Sequence, residues 1–160
     1  RNFKRGSSFD VLSPIDTLDR INTELLDTDL GKHLSIFMGL YDQKDSTLTY
    51  AVGGHHPMPI LADSQGCRFL EGRGMPVGLL PEPIYEQRSI SLSDPFTLTI
   101  FSDGILEVMP EEGMQAKENR LLEAVVATKE ADPEQVKEYL LPSIIDDIPD
   151  DIAIMTISRL

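Results

Sequence analysis

An α+β domain built around mostly antiparallel β-sheet is what this sequence predicts, and three observations predict it. Its strand-like runs come in close pairs joined by short polar turns, as hairpins do. Helical segments stand before and after those pairs instead of alternating with single strands, which argues against a parallel arrangement. At 160 residues, 41% of them hydrophobic, the chain is long enough to bury a core as one domain over residues 1–160.

The first element is the helix of "SPIDTLDRINTELLDTD" (13–29). Ser13 is its N-cap and Pro14 its first helical residue, and Ile15, Leu18, Ile21 and Leu25 recur on one face. "LSIFMGLY" (34–41) and "LTYAVG" (48–53) read as strands joined by the polar turn "DQKDST". "PMPILAD" (57–63) and "GCRFL" (66–70) form a second hairpin around Ser64, Gln65 and Gly66. "FTLTIFSD" (96–103) is a strand rich in β-branched and aromatic residues. "ENRLLEAVVATK" (118–129) is helical, and "DPEQVKEYLLPSII" (132–145) opens a helix with Asp132 as N-cap and Pro133 behind it. "DDIAIMTISRL" (150–160) closes the chain as a strand alternating from Ile152. No repeat, linker or low-complexity segment interrupts the series.

Charge and cysteine usage exclude several classes. Fourteen basic against 27 acidic residues give a net charge of −13, which repels nucleic acid phosphates, and no basic patch offsets it. No apolar run approaches the ~18 residues of a membrane span, so neither nucleic acid nor membrane is expected as a partner. The single cysteine, Cys67, excludes an internal disulfide and a cysteine zinc cage. It fits a reducing cytoplasm, where it serves as a small packed hydrophobe. An acidic surface favours solubility, and it also accommodates a carboxylate site for hard divalent cations.

The stretch "TIFSDGILEV" (99–108) carries two readings. Asp-Gly between apolar runs is a strong hairpin signal. The alternative is an acid held at a strand end for chemistry. Asp103 lies at the C-terminal end of one apolar strand, and Asp150 and Asp151 lie at the N-terminal end of another. If those strands are antiparallel neighbours, the acids meet at one sheet end with strand axes ~5 Å apart; if parallel, ~20 Å separates them. Close carboxylates repel unless a cation lies between them or one is protonated. The bland reading of "IIDDIPDD" (144–151) is a solvated acidic turn.

"FSDGILEV" (101–108) followed by "PDDIAIMTISR" (149–159) resembles the metal-dependent PP2C-type (PPM) serine/threonine phosphatases, in their bacterial SpoIIE/RsbU-like branch. "SPIDTLDRINTELL", "STLTYAVGGHHPMPIL", "GRGMPVGLLPEPIYEQRSISL" and "ENRLLEAV" are similar to that branch's segments in the same order. The resemblance implies a PP2C-like layered fold, with antiparallel sheets flanked by helices. It implies that Asp103 and Asp150 are metal ligands, with Gly104 and Asp151 as supporting neighbours. The cofactor is then Mn²⁺ or Mg²⁺ at a two-metal site roughly 4 Å across, which activates a water. No side chain acts as the nucleophile.

The family's earlier Gly-Asp strand and "Asp-x-x-Gly-His-Gly" turn have no counterpart here, and Asp10, Asp16 and Asp19 are poor substitutes. The chain is therefore expected to supply the C-terminal portion of the domain and an incomplete metal site. Ala153 stands where the family has Thr, and Gly53 where it has Ala. The branch supplies outputs of response regulators and sensors, which allows for an upstream receiver domain and does not require one. Its substrate is a phosphorylated anti-sigma-factor antagonist or another phosphoprotein. The details look closest to an RssB-like response regulator's output domain. The alternative is a degenerate PP2C-like adaptor that binds a partner in sigma-factor regulation without hydrolysing anything.

His55 occupies the family's Gly-His-x-Pro position and is read as shaping the strand crossing, with His56 exposed. Arg68, Arg73 and Arg88 are candidates for gripping phosphate, and none is assigned. Met75, Met109 and Met114 are read as packing around loops.

Overall fold

The computed structural model describes residues 11–28, 31–128, 132–141 and 150–159. Its elements run α1 (Pro14–Asp27), β1 (Ile36–Asp42), β2 (Thr47–Gly53), β3 (Ile60–Asp63), β4 (Gly66–Phe69), β5 (Gln87–Ser91) and β6 (Phe96–Phe101). Then come α2 (Gly104–Val108), α3 (Met114–Ala127), α4 (Pro133–Leu140) and β7 (Ile154–Arg159). A three-stranded sheet, ordered β1-β2-β5, faces a four-stranded sheet, ordered β4-β3-β6-β7, and every named pairing is antiparallel. The expected α+β layering of antiparallel sheets and flanking helices is what the chain adopts.

Three apolar clusters hold the layers together. Leu48, Tyr50 and Val52 of β2 meet Leu61 of β3 and Phe96 and Leu98 of β6 between the sheets. On the outer face of the first sheet, Leu18 of α1 packs with Ala51, Val77 and Tyr85, flanked by Ile15, Ile21 and Leu25. On the outer face of the second, Ile60 and Phe101 are covered by α2, α3 and α4 through Ile105, Leu121, Ala124 and Val136. The period-two alternation therefore divides β6 between two cores, and only Ile100 in that strand is more than slightly exposed. Asn22 is buried on α1 with its amide satisfied. It donates to the Leu80 carbonyl at 2.9 Å and accepts from the Gly78 amide at 2.7 Å, which pins the 78–80 loop to the helix.

Where boundaries differ from expectation, the reasons are local. β3 starts at Ile60 instead of residue 57, because Pro57 and Pro59 carry no N–H for a ladder. The first helix stops at Asp27. The third begins at Met114, four residues before the apolar periodicity becomes visible. The fourth ends at Leu140, and the expected continuation over 142–145 lies outside the described residues. Gly53 is explained by Val77, whose Cγ2 would lie 2.6 Å from a Cβ there, too close for the family's Ala.

Candidate metal centre

The stretch after β6 is not a hairpin turn. Instead of a returning strand, Gly104–Val108 forms a short helix whose Ile105 and Leu106 are buried in the outer core. Burial of that apolar pair decides the conformation: the turn runs down into the α-layer, not back along the sheet. Asp103 occupies the N-cap position of α2 with helical backbone angles (φ −63°, ψ −28°) and makes no capping bond. Ser13 and Asp132, at the N-caps of α1 and α4, both do. The exposed Asp103 carboxylate accepts no hydrogen bond from any described residue, so its oxygens are available to something else.

Asp150 and Asp151 arrive at the same place. β7 runs antiparallel to β6 with Phe101 opposite Ile154, so the residues leaving β6 and those entering β7 share one end of the sheet. Ser102 joins them. Its amide donates to the Ala153 carbonyl at 2.9 Å, and its hydroxyl accepts from the Ala153 amide at 2.7 Å while donating to the Asp151 carbonyl at 2.9 Å. The Ser102 carbonyl has turned away to accept from Ile105, so the hydroxyl takes over its place in the ladder. Ala153 engages this network through its backbone, which is why a methyl in place of a threonine side chain leaves these bonds intact.

Gly104 sits under the incoming strand. A Cβ there would fall inside the contact radius of the Asp151 carbonyl oxygen and 3.0 Å from its carbon. The Asp151 amide in turn donates to Asp150 Oδ1 at 2.8 Å. Gly104 and Asp151 thus meet through the main chain, and Asp103 and Asp150 each carry an exposed carboxylate at this end of the sheet. The two carboxylates are oxygen donors at an exposed sheet end, which suits a hard divalent cation, so Asp103 and Asp150 fit as part of such a site. Among the described residues, no group of three or more His, Cys, Asp or Glu side chains converges to hold a metal.

The remaining candidates are placed clearly. His56 is exposed, with Nε2 3.3 Å from Met114 Sδ at the start of α3. His55 is half-buried, and burial holds its imidazole below the usual range against the opposing pull of the Asp103 carboxylate. Arg68 is committed to a two-pronged bond with Asp63, and Arg88 to Glu71 and Glu86, so neither is free to grip phosphate. Arg73 is exposed and its carbonyl accepts from the Glu86 amide. Met109 is core, whereas Met75 and Met114 are exposed. Cys67 is partly buried against the outer core, and burial pushes its thiol up, away from reactivity. The bridging role of Ser102 was not legible, although a hydroxyl before Asp-Gly was the available signal.

Two antiparallel sheets between helical layers, with acids at one sheet end, define a PP2C-like phosphatase domain. The chain belongs to the Stage II sporulation protein E (SpoIIE) family, whose model matches residues 3–160. Solved structures of similar fold include the phosphatase domain of SpoIIE from Bacillus subtilis, with a TM-score of 0.64 at 16% identity, covering 96% of this chain and 76% of that one. The RsbU and RsbW domains of Rv1364c from Mycobacterium tuberculosis match with a TM-score of 0.67 at 17% identity, over 92% of this chain and 41% of that one. RsbX, in a complex with magnesium, gives 0.61 at 15% identity, over 89% and 62%. Protein IcfG from Synechocystis sp. is 28% identical over 148 residues, which is 89% of this chain. The chain spans 23% of that relative's length.

Proposed function

We propose that this domain is a divalent-metal-dependent serine/threonine protein phosphatase, the output of a bacterial signalling regulator acting on a phosphorylated anti-sigma-factor antagonist or a similar phosphoprotein. The carrying observation is the junction of β6 and β7, where Ser102 and Gly104 bring the Asp150–Asp151 main chain against the Asp103 turn.

Asp103 and Asp150 would hold the cation, Mn²⁺ or Mg²⁺, which when bound supplies an activated water and neutralises phosphoryl charge. The chain's own part is positional. Ser102 ties the two strand ends together, Gly104 lets them approach, and the Asp151 amide directs one Asp150 oxygen. The other Asp150 oxygen and the Asp103 carboxylate are left for ligation. With no side chain acting as nucleophile, specificity falls to groups that dock the phosphoprotein.

One observation favours a second reading, a non-catalytic partner-binding adaptor: among the described residues the donor set stops short of three converging ligands. The two readings separate in one experiment on the intact protein. Phosphate release from a phosphoserine-bearing antagonist is measured with and without Mn²⁺, alongside binding of the same antagonist. Mn²⁺-dependent release that Asp103→Asn abolishes supports the phosphatase. Binding without release, unchanged by Asp103→Asn, supports the adaptor.

A further inference from the structure

The chain entering β3 carries a polar atom that the fold leaves unexplained. His55 follows Gly54, whose φ of 69° turns the chain out of β2. The His55 ring lies 6.3 Å from that of Phe37. Its Nε2 is buried and has no hydrogen-bond partner among the described residues. Buried polar atoms are nearly always paired, so an orphaned imidazole nitrogen calls for a partner supplied in another state of the site.

Placement in the sheet says which partner. β3 runs antiparallel to β6 with Ile60 opposite Thr99, so the approach to β3 reaches the sheet end from which Ser102 and Asp103 depart. The Asp103 carboxylate is also the anionic group that acts on the His55 ring. Asp103 itself accepts no hydrogen bond from the described residues. A buried imidazole nitrogen without a partner and a carboxylate without a donor, among the described residues, therefore lie at one sheet end.

We propose that His55 is a positioning residue for the candidate centre, its Nε2–H donating to one Asp103 oxygen and turning the other toward a divalent cation. The inference rests on the reading of Asp103 as a metal ligand. A neutral imidazole protonated on Nε2 supplies the donor. Ligating carboxylates are themselves held by hydrogen bonds of this kind, and losing the holder commonly weakens metal affinity about 10–100-fold.

The test is Mn²⁺ titration of the intact protein, wild type against His55→Phe, His55→Gln and Asp103→Asn, with melting of each metal-free protein. His55→Phe keeps the ring beside Phe37 and removes the unpaired nitrogen, so its metal-free melting temperature should match or exceed wild type. Its Mn²⁺ affinity should fall at least about tenfold. His55→Gln carries an amide donor at similar reach and should recover part of that loss. His55→Leu, also without a donor, replaces the Phe variant if the larger ring disturbs the turn. Wild-type affinity in the donorless variant, with affinity lost in Asp103→Asn, overturns the role of His55 alone. Wild-type affinity in Asp103→Asn overturns the metal centre itself.

Discussion

Gly104 and Asp151 touch through the backbone: the place a Cβ would take at Gly104 is already filled by the Asp151 carbonyl. Nothing flexible can give way, because that carbonyl accepts the Ser102 hydroxyl. Gly104→Ala should therefore push the entry to β7 off the Asp103 turn and destabilise the domain by about 1–3 kcal/mol, as overpacking a tight site does. Mn²⁺ affinity should fall with it. Denaturant unfolding checks the first and titration the second, and a Gly104→Ala protein with wild-type stability would show the contact to be soft.

Ser102 offers a milder perturbation of the same junction. Ser102→Ala removes one hydrogen bond to Asp151 and one from Ala153. At about 1 kcal/mol each, the loss should be about 1–2 kcal/mol, since water can reach this end of the sheet. Ser102→Thr keeps the hydroxyl and should stay close to wild type. Urea midpoints of the three proteins provide the comparison, and an alanine variant as stable as wild type would remove Ser102 from the account.

Asp103→Asn and Asp150→Asn should each lower Mn²⁺-dependent phosphatase turnover at least about a hundredfold, the scale on which lost charge stabilisation acts at a transition state. Both variants should stay folded, because Asn is nearly isosteric and relieves repulsion between neighbouring carboxylates. Turnover and circular dichroism on the same preparations separate lost chemistry from lost structure.

The Asp63–Arg68 pair predicts a pH effect away from the centre. Arg68 bonds both carboxylate oxygens, at 2.9 and 3.0 Å, and holds the Asp63 carboxyl below its usual range. A depressed carboxylate contributes its stabilisation fully above the ordinary value of about 4 and loses it as pH falls through the lower folded value. Arg68→Met should cost stability at pH 6 and much less at pH 2. The guanidinium is partly exposed, which screens the pair, but the Asp63 side chain is nearly fully buried, so at pH 6 the variant leaves a buried carboxylate without its partner. A variant that loses the same stability at both values would contradict it.

Much of this was legible in the residues. Ser13-Pro14 and Asp132-Pro133 announce helix starts because capping is a local interaction. The two hairpins and the final strand follow from alternation and polar turns, and the antiparallel pairing of β6 with β7 is the arrangement that brings Asp103 and Asp150 to one end. The Asp-Gly turn was ambiguous for a physical reason. The same dipeptide opens a hairpin or a helix according to where the next apolar residues are buried, and Ile105 and Leu106 go into a core built from distant segments. β5, with intermediate and exposed residues in alternation, carries a weak periodic signal, and no strand is read there from the residues themselves. The orphaned nitrogen of His55 depends on three-dimensional packing and leaves no trace in sequence.

In the proposed function, Asp103 and Asp150 hold one divalent cation site across the β6–β7 junction. The most direct measurement is an anomalous difference map from crystals of the intact protein grown with Mn²⁺. A strong peak is expected at the end of β6 and β7, with carboxylate oxygens of both Asp103 and Asp150 among its ligands. Mn²⁺ bound only at other carboxylates, or no peak at this sheet end in fully loaded crystals, would contradict it.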